Sequence, residues 1–523
     1  MSYRSVGVLA LLQMALLFAP GVAKAERLGT VSFANTCDAA VQPQFERAVA
    51  LLHSFWWSQG GKAFNDVLDA DGNCAIADWG TATILIGNPF GAGPTPEQAQ
   101  RAQEAIARAR TIGVKTERER LYIEAIGAYY DHFAERSPGE RLRALSDAFV
   151  ALAQRFPDDD ETQIFSALYL VATQPPSDKT FTRALAGAAI LQAQFLKHPD
   201  HPGVAHYLIH SYDFPPIADK GLPAAMCYAD IAPAAPHALH MPSHIFTRVG
   251  LWQESAATNH RSVAAAAESG DQGDRLHALD YLVYADLQLA RDSDARSALD
   301  EAMAVQNGGL AAAYARAAIP ARFAIERGMW REAADLPAPD VSKFPFTEAI
   351  RFFARSVGAA RSGKLADAQG DLDQLRRIGE ALKAAKNDYW STEVEVQRVA
   401  AEAWIAYAGG NRDAALAAMR TAADLEDQSE KSAVSPGRLI PARELLGDML
   451  LESGQPAVAL AEYETSQTRD PKRFRGLWGA GEAAALAGDD TKARQYFKQL
   501  VEMTAGGDAR PERLKAMAYL AGQ

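Results

Sequence analysis

Nine of the eleven histidines in this chain fall between His198 and His277, a density that calls for a chemical reason. Two pairs share one spacing, His206 with His210 and His240 with His244. On a helix, residues four apart stand on one face with Cβ atoms about 6 Å apart, close enough to share a ligand. Neutral imidazole is a good donor to zinc, copper, iron or nickel, so each pair is a candidate metal-binding element. His237 and His277 are candidate supporting ligands, and Asp280 a candidate carboxylate ligand or an orienting partner for a histidine. Both pairs have the outer spacing of a zincin helix without its glutamate, so a metallopeptidase of that type gains no support. Pro242 stands inside the second pair; a helix starting there would leave His240 in the cap and loosen the geometry. Glu161, at the end of an acidic run, could reach into the groove from the preceding side, but reads better as a solvated helix N-terminus. His198 and His201 flank Pro199 and read as solvated, while His53 reads as a packed or capping residue.

The elements that must position these side chains are legible as a repeat. Gly447, Leu450, Gly454, Ala459, Tyr463 and Pro471 match the small and large positions of a tetratricopeptide (TPR) unit. Gly481, Ala484, Gly488, Ala493 and Phe497 follow in the same register, one repeat later. Small residues let the two helices of a hairpin approach closely, the aromatic fills the space to the next hairpin, and proline ends the second helix. Weaker copies lie at 363–368, 410–415 and 291–302. The chain therefore resembles TPR proteins, which implies an all-α, helical-hairpin solenoid.

Register then gives the histidines a shared surface. Pro199 and Pro233 lie one repeat apart, as do His206 with His240 and His210 with His244. The resemblance to TPR arrays places His237, His240 and His244 on first-helix positions that line a concave face. His277, Asp280 and Tyr284 take the same positions in the next unit. His260 falls on a second helix, which faces away.

Two runs are more particular than the TPR consensus. One is Leu51–Trp57 leading to Cys74-Ala75; the other is His206-Tyr207-Leu208-Ile209-His210 leading to His240-Met241-Pro242-Ser243-His244-Ile245-Phe246. They resemble a group of exported bacterial TPR proteins, a likeness that strengthens the site without naming a reaction.

The ends and the composition set the compartment and the partners. Arg4, the apolar run Val6–Phe18, Pro20-Gly21 and Ala23-Lys24-Ala25 follow the order of a secretory signal peptide over residues 1–25, which predicts a periplasmic or secreted protein. The rest divides into an array over 26–336 carrying the histidine groove, a proline-rich linker at 337–345 and a second array over 346–523. Cys37 and Cys74 can be bridged in an oxidising compartment, leaving Cys227 free. A net charge of −12 argues against nucleic acid as a partner, and no stretch after residue 25 is apolar enough to remain in a membrane. Nucleophile-elbow, phosphate-loop and dinucleotide motifs are absent from the sequence. Two functions remain: a solenoid holding a transition metal through histidines, with catalysis left undecided because no general base can be assigned, or a metal-free scaffold for a peptide, protein or small-molecule ligand in the groove.

Overall fold

The computed structural model describes residues 26–306, 308–339 and 343–522. The expected signal peptide (1–25) and the middle of the 337–345 linker lie outside them. From Gln42–His53 to Pro511–Ala521, helix follows helix across short turns, and among the described residues there is no strand. The chain is an all-α helical-repeat solenoid.

The repeat positions explain the hairpins. Ala442–Glu452 pairs with Pro456–Gln467, and Phe474–Leu486 with Asp490–Met503. A Cβ on Gly447 would lie 2.6 Å from the Tyr463 ring, and one on Gly481 would lie 2.5 Å from Phe497. Both helices of each hairpin thus close to a distance that only glycine allows. Gly454 and Gly488 make the turns with φ of 71° and 81°.

Buried apolar side chains form one cluster from Leu28 to Phe246 and another from Ala290 to Ala516, with a third from Trp252 to Phe323 between them. The second cluster crosses the linker, because the helices Gly309–Glu326 and Trp330–Ala334 pack on Pro345–Arg361; a Cβ on Gly358 would meet the Trp330 carbonyl at 2.6 Å. A disulfide joins Cys37 to Cys74, tying the segment before the first helix to the start of Ala75–Ile86.

The array also folds back on itself. Trp252 Nε1 donates to the Lys472 carbonyl at 2.7 Å, and the Phe474 amide donates to Gln288 Oε1 at 2.8 Å. Arg473, fully buried, donates to Tyr284 of the central array and to Glu326 and Glu444. The 428–441 segment, between two C-terminal helices, lies over the central helices: Tyr281 donates to the Ser435 carbonyl at 3.1 Å, and Arg322 donates to the Arg438 carbonyl at 2.7 Å. The concave face expected to be an open groove is therefore covered at the histidines.

Two stability predictions follow from these ties. Arg473→Met leaves Glu326 and Glu444 buried without a cation and should cost about 3–5 kcal/mol in urea unfolding; a loss under about 1 kcal/mol would contradict the role given to this residue. Cys37→Ser with Cys74→Ser should lower stability by about 4 kcal/mol, from the unfolded-chain entropy of a loop of this length. Reductant should lower the wild-type melting temperature and leave that of the double variant unchanged.

Candidate metal centre

Three consecutive hairpins supply the histidines. His206 and His210 lie on Pro202–Tyr212, and His277 on Gln272–Gln288. His237, His240 and His244 lie on Pro236–His240 and Pro242–Val249. The loosening expected at Pro242 does not occur. Met241 keeps right-handed helical angles (φ −54°, ψ −35°), so the two short helices run on as one and the i, i+4 geometry survives. Pro242 offers no amide at this junction, and the Ser243 hydroxyl donates to the His240 carbonyl at 2.7 Å.

Six of the seven expected ligands come together, as two triads. The ligand atoms of His206, His210 and His237 all lie within 4.8 Å of one another, and so do those of His240, His244 and His277. His206, His210, His237, His240 and His244 are buried; His277 keeps partial exposure as a residue while its ring lies 4.4 Å from that of His240. Asp280 does not join them. Its carboxylate turns to Arg322, 3.6 Å away, an ion pair too long for a hydrogen bond, because its helix face meets Gly309–Glu326. Tyr284, expected in the same row, points to Arg473.

The outer partners of the rings decide their protonation. His240 Nδ1 lies 2.7 Å from Asn259 Oδ1, and the Asn259 amide nitrogen donates to the Ser255 carbonyl at 2.7 Å, so the oxygen faces the ring. His244 Nδ1 lies 2.9 Å from the Asp213 carboxylate. Each partner only accepts, so each Nδ1 carries the hydrogen and each Nε2 presents a lone pair. Those two Nε2 atoms face each other at 3.1 Å. His206 Nδ1 likewise donates to the His53 carbonyl at 2.7 Å, leaving its Nε2 bare at 3.2 Å from His210 Nε2. Ligands at the usual metal–imidazole distance around a tetrahedral ion stand about 3.3 Å apart. His237 Nε2 is buried with no hydrogen-bond partner among the described residues.

Burial pushes the pKa values of His206, His210, His240 and His277 well below 6.5, with neighbouring histidines adding to the shift. His244 falls to about 4, burial outweighing the pull of Asp213. These rings are neutral at neutral pH, the state a metal ion requires.

Several partners escape a reading of the sequence. Asp213 orients His244 and also accepts from Arg248 at 2.8 Å and Lys431 at 3.0 Å; burial pushes Lys431 down to about 8. Asp213 stands three residues beyond His210, a spacing that could have flagged it, but nothing in the sequence ties Lys431 to the site. Phe55, at φ 51°, lays its ring 4.4 Å from His206 and 5.5 Å from His237; Phe90 stacks on His210 at 4.0 Å. Phe55 sits inside the Leu51–Trp57 run singled out above.

A third histidine cluster has a different character. Glu161 is buried, not solvated, and accepts from His53 Nε2 and His201 Nε2, each at 3.0 Å. His201, also expected at the surface, is buried because it caps Pro202–Tyr212, its Nδ1 accepting from the Val204 amide at 3.3 Å. Tyr207 reaches His53 Nδ1 at 2.9 Å. Every ring nitrogen here has a protein partner, so the cluster braces the first triad: the His53 carbonyl is the group that orients His206.

No protein-family model and no curated protein matches the chain. Among solved structures, the human IFIT1 dimer with m7Gppp-AAAA is similar at 10% identity and a TM-score of 0.38, over 82% of this chain and 90% of that one. Among the described residues, no helix is long and apolar enough to cross a membrane.

The assignment of Asp280 outside the centre can be checked by pH. Burial raises its pKa from 3.8 to about 6 against the pull of Arg322, so its contribution to stability is greatest below pH 4 and is lost as pH rises through 6. The stability of wild type relative to Asp280→Asn should fall by about 3 kcal/mol between pH 4 and pH 7. Urea unfolding of both proteins across that range measures it, and a flat difference would contradict the burial of an ionising carboxyl.

Proposed function

We propose that this chain is an exported helical-repeat protein that holds a transition metal (zinc, copper, iron or nickel) through histidines on its covered concave face. The observation that carries the reading is the pair of bare Nε2 atoms of His240 and His244, 3.1 Å apart. Two fixed lone pairs at that distance repel unless a cation lies between them, and burial disfavours a proton in that role. The outer hydrogen bonds to Asn259 and Asp213 are those that orient metal-binding histidines in general.

Export is supported by the leader-like order of residues 1–25 and by the Cys37–Cys74 disulfide, a bond that persists in oxidising compartments. The runs around His206–His210 and His240–Phe246 agree with membership of a group of exported bacterial TPR proteins. Three imidazoles per ion leave a coordination position for water, oxygen or a substrate, so the site can support catalysis. The scaffold reading is weaker, because a peptide in this part of the groove would have to displace the 428–441 segment and its bonds to Asp213, Tyr281 and Arg322.

Elemental analysis of tag-free protein tests the proposal. Stoichiometric metal is expected in wild type, and at least a tenfold weaker affinity in His206→Ala/His244→Ala. Wild type that is metal-free and resists loading with each of the four metals would sink it.

A further inference from the structure

The two triads are in contact with each other, and that contact carries more than a generic metal site. The rings of His210 and His244 lie 6.1 Å apart, as do those of His237 and His240, close to the 6.0 Å between His244 and His277 within the second triad. Resting on the metal-site reading above, we infer that the centre is dinuclear. One copper ion is held by His206, His210 and His237, a second by His240, His244 and His277, and dioxygen is the ligand they take between them.

Ligand chemistry favours copper. Both triads offer imidazole alone, with no thiolate and no carboxylate among the ligand atoms. Imidazole suits zinc, copper, iron and nickel, and of these copper has a readily reached monovalent state. Charge separates it from the others. Two dications side by side repel with four times the charge product of two Cu(I) ions, and in a buried site that repulsion is poorly screened. The protein supplies little to offset it: Asp213 is already paired with Arg248 and Lys431, and Asp274 reaches only His237, at 3.8 Å. Six imidazole donors with no anionic ligand among them therefore fit a pair of monovalent ions better than a pair of divalent ones.

The surroundings favour a small apolar ligand. Three donors leave each ion an open position, and adjacent ions present two such positions to one diatomic molecule. Beside the first triad lies a small apolar pocket, lined by Phe55, Trp57, Ile86, Pro89 and Tyr207 among others. Phe55 and Tyr207 both touch the His206 ring, at 4.4 and 5.2 Å. Polar substrates gain nothing from such a lining, whereas dioxygen does. The step balances without protons: each Cu(I) gives one electron, dioxygen accepts two and becomes peroxide, and copper–oxygen bonds form to two Cu(II) ions.

The test loads tag-free full-length protein with Cu(I) under anaerobic conditions, counts metal per chain and then admits air. Two coppers per chain are expected. On air, a peroxide-to-copper charge-transfer band should appear, with no electron paramagnetic resonance signal because the two Cu(II) spins couple. His237→Gln and His277→Gln, checked for fold by circular dichroism, should each drop the count from two to one and abolish the band. One metal per chain in wild type overturns the dinuclear inference and leaves the metal-site reading standing; no metal sinks both. Two coppers giving the full signal of isolated Cu(II) on air overturn the shared dioxygen site. Preference for two zinc ions in a competitive loading overturns the choice of copper.

Discussion

The hydrogen bonds from His240 Nδ1 to Asn259 and from His244 Nδ1 to Asp213 are short and point outward from the centre, and the rest of the site depends on them. A histidine presents one lone pair at most, and which nitrogen presents it is set by what the other nitrogen donates to. Because both outer partners only accept, both inner nitrogens are left to face each other. Burial then removes the usual escape, protonation of one ring, by holding His244 near 4 and His240 well below its ordinary value. Geometry and electrostatics together leave the pair suited to a cation.

The solenoid exists in a form that protects this arrangement. An open TPR groove would expose the rings to water, raise their pKa values and let them turn. Here the C-terminal hairpins return to the central ones through Trp252, Gln288 and Arg473, and that return places the 428–441 segment over the histidines. Lys431 from that segment also donates to Asp213, so closure of the array and orientation of His244 share one carboxylate. On the other side, the His53–Glu161–His201 cluster holds the carbonyl that orients His206.

Much of this was legible in the sequence because periodicity survives in it. The glycines and aromatics of 447–497 read directly as hairpins, and the one-repeat offset between His206–His210 and His240–His244 put both pairs on equivalent faces. Pattern failed where a helix face is shared. Asp280 occupies a groove-lining position by register, yet the neighbouring helix supplies Arg322 and draws it away. Glu161 looked solvated because an acidic helix start usually is; its burial depends on His53 and His201, far from it in sequence. The cover over the groove was invisible for the same reason. Lys431 and Ser435 reach the site only because the array closes, and no local spacing encodes that contact.

Anomalous X-ray diffraction from crystals of the tag-free protein, collected above and below the copper edge, tests the central claim most directly. An anomalous peak between Nε2 of His240 and Nε2 of His244, within about 2.0–2.1 Å of each, is the expected result. Crystals of metal-loaded protein with no peak there, or with the metal bound elsewhere on the chain, would contradict it.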